Sequence, residues 1–158
     1  MAEFVDLLRH NANFRRVWLA QLISEIGDNF NNVAVFGLAM DTTGSGLVVS
    51  GVMLARAIPA ALAGPLAGVV LDRMDRKRIM VASDLVRAVV ALAFLLTINC
   101  RGNWLLYTLS ALLMFASPFF TSGRAAILPS ITSERELHAA NSLLQTTQWA
   151  TLTAGTIL

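Results

Sequence analysis

Four polar side chains recur in an otherwise apolar segment, "VWLAQLISEIGDNFNNVAVFGLAM" (residues 17–40): Gln21, Glu25, Asp28 and Asn32. Their spacings of four, three and four place them on one face of a helix that turns about 100° per residue. Ser24, Asn29 and Asn31 flank that stripe. Two carboxylates in such a place can exchange protons or meet a polar ligand, because burial favours their neutral form and a nearby arginine their charged form. Arg56 and Arg87 are the available cations inside apolar stretches, with Asp84 three residues before Arg87. Gln21, Glu25, Asp28 and Asn32 with Arg56 and Arg87 therefore form a candidate substrate or proton pathway. Which acid meets which arginine stays open. Asp84 neutralising Arg87 within its own helix, and a polar contact that only aids packing, are the structural alternatives.

The chain has 158 residues, 56% hydrophobic and 14% charged, against roughly 25% charged in soluble domains. It reads as an all-α membrane protein. Spans are expected over 17–40, 47–71, 79–98 and 103–123, with a fifth beginning near 139 and incomplete at 158, since each needs about 20 apolar residues. "DTTGSG" (41–46) and "NCRGN" (99–103) read as turns between antiparallel neighbours. A carboxylate at the bilayer centre costs roughly 2.5 to 3.5 kcal/mol on insertion scales, so the polar stripe must face protein or a water-filled cavity. Gly64 and Gly68, a G-x-x-x-G pair, are expected to let the second span approach a neighbour closely, and Pro59 and Pro65 to bend it.

Arg9, Arg15, Arg16, Arg73, Arg76, Lys77, Arg78, Arg124 and Arg135 fall on one side of these spans and Arg101 on the other. Basic residues gather in cytoplasmic loops, so a multi-pass protein of the cell (inner) membrane with a cytoplasmic N-terminus is expected. The N-terminus lacks the pattern of a cleaved secretory signal. Topology accounts for the net charge of +2, and nucleic acid is set aside as a partner. Cys100 is the single cysteine, and His10 and His138 stand far apart without companions, so no disulfide, metal or cofactor is expected. Ser, His and Cys fall in no nucleophilic arrangement, and an enzyme is not expected. Ser133 and Glu136 form an S-x-x-E capping box at the start of a helix leading into the fifth span.

Six charges lie within the seven positions from Asp72 to Arg78, between the second and third spans. Gly68-x-x-x-Asp72-Arg73-x-x-Arg76-Lys77 resembles the loop signature of the major facilitator superfamily, with Asp75 where that signature usually has glycine. "SEIGDNF", "SDLVRA" and "GRAAILPSI...ELHAAN" resemble its drug and siderophore exporter branch, macrolide efflux proteins among them. The resemblance implies the N-terminal part of a twelve-span transporter whose C-terminal half is missing here. It implies a cytoplasmic gating loop of Gly68, Asp72, Arg73, Arg76, Lys77 and Arg124, with Asp72 as the latch acid. It further implies proton-coupled efflux of small amphipathic molecules by alternating access, the lipid bilayer, a small-molecule substrate and protons being the partners. Lysophospholipid transport and a non-transporting membrane interaction protein are the alternative expectations.

Overall fold

The computed structural model describes residues 2–43, 46–99 and 103–157. Helices fill them: α1 (Ala2–His10), α2 (Ala12–Thr43), α3 (Gly46–Arg73), α4 (Arg76–Ala93) continued by a 3₁₀ turn (Phe94–Asn99), α5 (Trp104–Ile131) and α6 (Glu134–Ile157). Cys100 and Arg101 lie outside the described residues.

Gly46–Arg73, Arg76–Thr97 and Trp104–Ile131 are long and apolar enough to cross a membrane, with mean hydropathies of 1.8, 2.2 and 1.5. Their large side chains point outward. Leu54, Ile58, Leu62 and Leu66 on α3 and Leu85, Val89, Leu92 and Leu96 along α4 and its extension are all more than half exposed or at that mark. Such continuous apolar surfaces suit a lipid solvent, where they cost nothing, and not water. Helix α2 is built the other way round. At 32 residues it reaches about 48 Å at 1.5 Å per residue, ample for a bilayer, but its polar stripe keeps it out of the apolar set. Gln21 is buried and Glu25, Asp28 and Asn32 are half-buried, while Ile23, Ile26, Phe30 and Val33 are exposed. The stripe thus faces protein.

Short polar side chains set the helix starts. Asn11 caps α2, its Oδ1 accepting the Phe14 N–H at 3.0 Å while its Nδ2 donates to the Ile131 carbonyl at 2.6 Å. Asp75 caps α4, accepting the Arg78 N–H at 2.9 Å. That role explains why an aspartate serves where the loop signature has glycine: its extended backbone and side-chain acceptor begin the next helix. Ser133 and Glu136 form the expected capping box, with the Ser133 N–H and hydroxyl reaching Glu136 Oε2 at 2.9 and 2.8 Å.

Two expectations need correction. A Cβ placed at Gly64 or Gly68 meets nothing within 4 Å, so the G-x-x-x-G pair makes no close helix contact among the described residues. The buried small residues of α3 are Ala63 and Ala67 instead, one position earlier on the helical wheel. Residues 124–131, expected as connector, are helical, because α5 continues through Pro118 and past Arg124 to Ile131. Helix α1 was also unmarked by periodicity, whereas α3 runs through Pro59 and Pro65 as the one span expected over 47–71.

The chain divides into two compact units, Met1–Val33 with Arg124–Leu158, and Ala34–Gly123. In the first, Leu7, Phe14, Leu128, Ala140 and Leu144 form the core, with α1 packed on α6. In the second, Val35, Ala39, Val52, Val90, Phe94, Leu106, Leu109 and Leu113 do so. Helices in lipid gain little from the hydrophobic effect and associate through close packing and polar contacts. Gly123 illustrates the former: a Cβ there would lie 2.5 Å from Met80 Cγ and 3.3 Å from Leu71 Cδ2.

Candidate functional site

Glu25 is the centre of the first unit's polar chemistry. Its Oε1 accepts from Gln21 Nε2 at 2.6 Å and from Arg124 Nη1 at 3.5 Å, and its Oε2 accepts from the Thr151 hydroxyl at 3.0 Å. The Glu25 and Arg124 side chains are each 16% exposed. Three helices, α2, α5 and α6, thereby converge on one carboxylate, and every partner is a donor, which fits its ionised form.

Further contacts extend this into a ladder between α2 and α6. Trp18 Nε1 donates to Thr147 Oγ1 at 2.9 Å, and Gln21 Nε2 also donates to the Leu144 carbonyl at 3.1 Å. Beyond Glu25, a Cβ at Gly155 would sit 2.7 Å from Asn29 Cβ. The pairs 18–147, 25–151 and 29–155 advance together, so the two helices run parallel. Beside the ladder lies an open cleft of about 490 Å³ lined mainly by apolar groups, including Trp18, Leu22, Ile26, Phe30, Ala150 and Thr151. The threonines there contribute methyls, because the Thr146 and Thr147 hydroxyls donate to the carbonyls of Ser142 and Leu143, and the Thr151 hydroxyl lies within reach of both Glu25 and the Gln148 carbonyl.

Arg56 and Arg87 both belong to the second unit. Arg87, 5% exposed, donates to Asp84 at 2.9 Å and lies 5.7 Å from the Phe120 ring centre. Arg56 stands 5.6 Å from the Phe36 ring centre, with its Nη2 3.9 Å from Met114 Sδ. The aromatic faces give these guanidiniums a partner that needs no second charge. Asp72, Arg73, Arg76 and Lys77 are exposed at the joint of α3 and α4, as is Gly68 one turn earlier. Among the described residues no group of three His, Cys, Asp or Glu side chains is arranged to hold a metal.

Sequence reasoning found Gln21 and Glu25 but not their partners. Arg124, grouped with the gating loop by resemblance, is the cation that meets Glu25. Thr147 and Thr151 were missed altogether. The signal available was their spacing: Leu144, Thr147 and Thr151 repeat the three-then-four interval of Trp18, Gln21 and Glu25.

The sequence pattern of the Major Facilitator Superfamily matches residues 17–158. Macrolide efflux protein A of Streptococcus pyogenes is 30% identical over 128 residues, covering 78% of this chain and 31% of that protein. The uncharacterized MFS-type transporter YfiS of Bacillus subtilis (strain 168) is 29% identical over 138 residues, covering 87% of this chain and 32% of that protein. The chain therefore spans about a third of the length of these curated relatives. No solved structure matches it.

Proposed function

We propose, from the premise that this chain belongs to the Major Facilitator Superfamily, that it supplies the N-terminal helices of a proton-coupled exporter of small amphipathic molecules. Glu25 is the proton carrier. The observation behind this reading is the half-buried carboxylate shared by Gln21, Arg124 and Thr151 on three helices. Its charge balance depends on how those helices stand, so a proton gained or lost there changes what holds them together. The efflux name of the macrolide relative supports the direction, and the longer relatives support a C-terminal half that completes the pathway.

The basic joint Arg73, Arg76 and Lys77, with Arg9, Arg15 and Arg16, favours a cytoplasmic N-terminus in a cell membrane. Asp72, exposed beside these cations, is positioned to latch the cytoplasmic side when a partner helix end approaches. Asp28 and Asn32 continue the Glu25 face along α2, and Arg56 and Arg87 are fixed charges of the second unit.

In inverted membrane vesicles carrying the intact protein, Glu25→Gln should abolish pH-gradient-driven transport of a macrolide or of ethidium, with membrane insertion unchanged. Transport that still responds to the gradient in that variant removes Glu25 as the carrier. A parallel panel including a lysophospholipid identifies the substrate class.

A further inference from the structure

The two oxygens of Glu25 are served by different kinds of partner. Oε1 receives the Gln21 amide and the Arg124 guanidinium, at 2.6 and 3.5 Å. Neither can turn into an acceptor. Gln21 Nε2 donates at once to Glu25 and to the Leu144 carbonyl, so a flipped amide would set its oxygen against two acceptors, and a guanidinium has no lone pair to offer. Oε2 receives the Thr151 hydroxyl at 3.0 Å. A hydroxyl carries one proton and two lone pairs, and Thr151 Oγ1 lies equally 3.0 Å from the Gln148 carbonyl. It has an alternative place to put its proton.

We infer that a proton taken up by Glu25 resides on Oε2 and that Thr151 is the positioning residue for both protonation states. With Glu25 ionised, Thr151 donates to Oε2. On uptake an O–H bond forms at Oε2, the new acid donates to Thr151 Oγ1, and the Thr151 proton swings to the Gln148 carbonyl; release reverses each movement. Only the transported proton is gained or lost. The Oε1 contacts stay in place throughout, so Gln21 and Arg124 anchor the carboxyl while its far oxygen exchanges the proton. The other charged groups of the surrounding helices are Arg124 on α5 and, on α2, Asp28 three residues on, with Arg15, Arg16 and Asp41 more than two turns away along the same helix. Helix α6 carries Glu134, Arg135, Glu136 and His138 only near its start, more than three turns from Thr151.

This assignment rests on Glu25 being the proton carrier, and infrared difference spectra separate the two claims. In the detergent-purified intact protein, lowering the pH should raise a carboxylic acid carbonyl band that Glu25→Gln removes. Thr151→Val, isosteric but without a hydroxyl, should move that band to higher wavenumber, since the acid loses its acceptor; Thr151→Ser should leave it in place. Thr151→Ala gives the same readout if the valine variant does not fold. A band that Glu25→Gln removes but neither Thr151→Val nor Thr151→Ala shifts overturns the role of Thr151 and spares the carrier. A spectrum that Glu25→Gln leaves unchanged overturns the carrier itself, and the Thr151 assignment with it.

Discussion

The two units hold buried charge by opposite means. In the first, Glu25 on α2 depends on Arg124 from α5 and Thr151 from α6, partners about 100 and 126 residues away. In the second, Arg87 takes its counter-charge from Asp84, three residues earlier on the same helix, and rests beside Phe120. A charge satisfied across helices changes its environment whenever those helices move. One satisfied within its own helix carries its partner along. The first arrangement can couple protonation to conformation, and the second mainly lets a cation exist inside an apolar unit.

The largest expected effect comes from cutting the cross-helix pair. Arg124→Ala strands a half-buried carboxylate, and breaking such a pair from one side costs about 3–5 kcal/mol. Its thermal midpoint in detergent should fall well below wild type, and adding Glu25→Gln should recover much of the loss. A double variant no more stable than Arg124→Ala would mean that the two side chains are not energetically coupled. Next in size is the close packing of the second unit. Gly123→Ala forces a methyl group to 2.5 Å from Met80 Cγ, and overpacking of this kind costs roughly 1–3 kcal/mol. Met80→Ala in the same chain should relieve part of it, and an unperturbed melting curve for Gly123→Ala would show that the contact yields freely. The local pair should matter least among the charges: Asp84→Asn keeps an acceptor for Arg87, and Asp84 is a third exposed, so about 1 kcal/mol is expected. If Asp84→Asn cost as much as Arg124→Ala, the contrast between the units would collapse.

Which parts of this were legible in the sequence follows from the range of the interactions involved. The stripe Gln21, Glu25, Asp28 and Asn32 is a local periodicity, and periodicity alone orients it toward protein. The Ser133–Glu136 box is equally local. Arg124 was not legible as the partner of Glu25, because at the end of an apolar run an arginine has the same composition signal whether it belongs to a loop or to a helix that continues. Pro129 strengthens the impression of an ending, yet α5 passes through it as it does through Pro118, as a membrane helix with satisfied neighbours can. The Gly64–Gly68 pair erred in the reverse direction. Small residues permit close approach but do not compel it, and on α3 the neighbours came to Ala63 and Ala67. Helix α1 is nine residues long, below the length at which periodicity separates helix from loop.

The smallest effect probes a carboxylate whose partners all lie in its own turn. Glu136 is held below the usual carboxylate range first by the Ser133 backbone N–H and then by the Ser133 hydroxyl. Its folded form therefore gives up a proton more readily than the unfolded chain does. The stabilisation is fully present above the unfolded value, near about pH 4.3, and is lost as pH falls through the folded one. Glu136→Gln keeps a side chain that can reach Ser133 but cannot titrate. The stability difference between wild type and Glu136→Gln should be flat at neutral pH and diminish as the solution is acidified through that window; a difference that does not change with pH would separate Glu136 from the titration. Because Ser133 and Glu136 move as one turn, the same substitution should leave the pH dependence of transport where it was. On the proposal that Glu25 carries the proton, Glu25→Gln should shift it, since its partners Arg124 and Thr151 stand on two other helices.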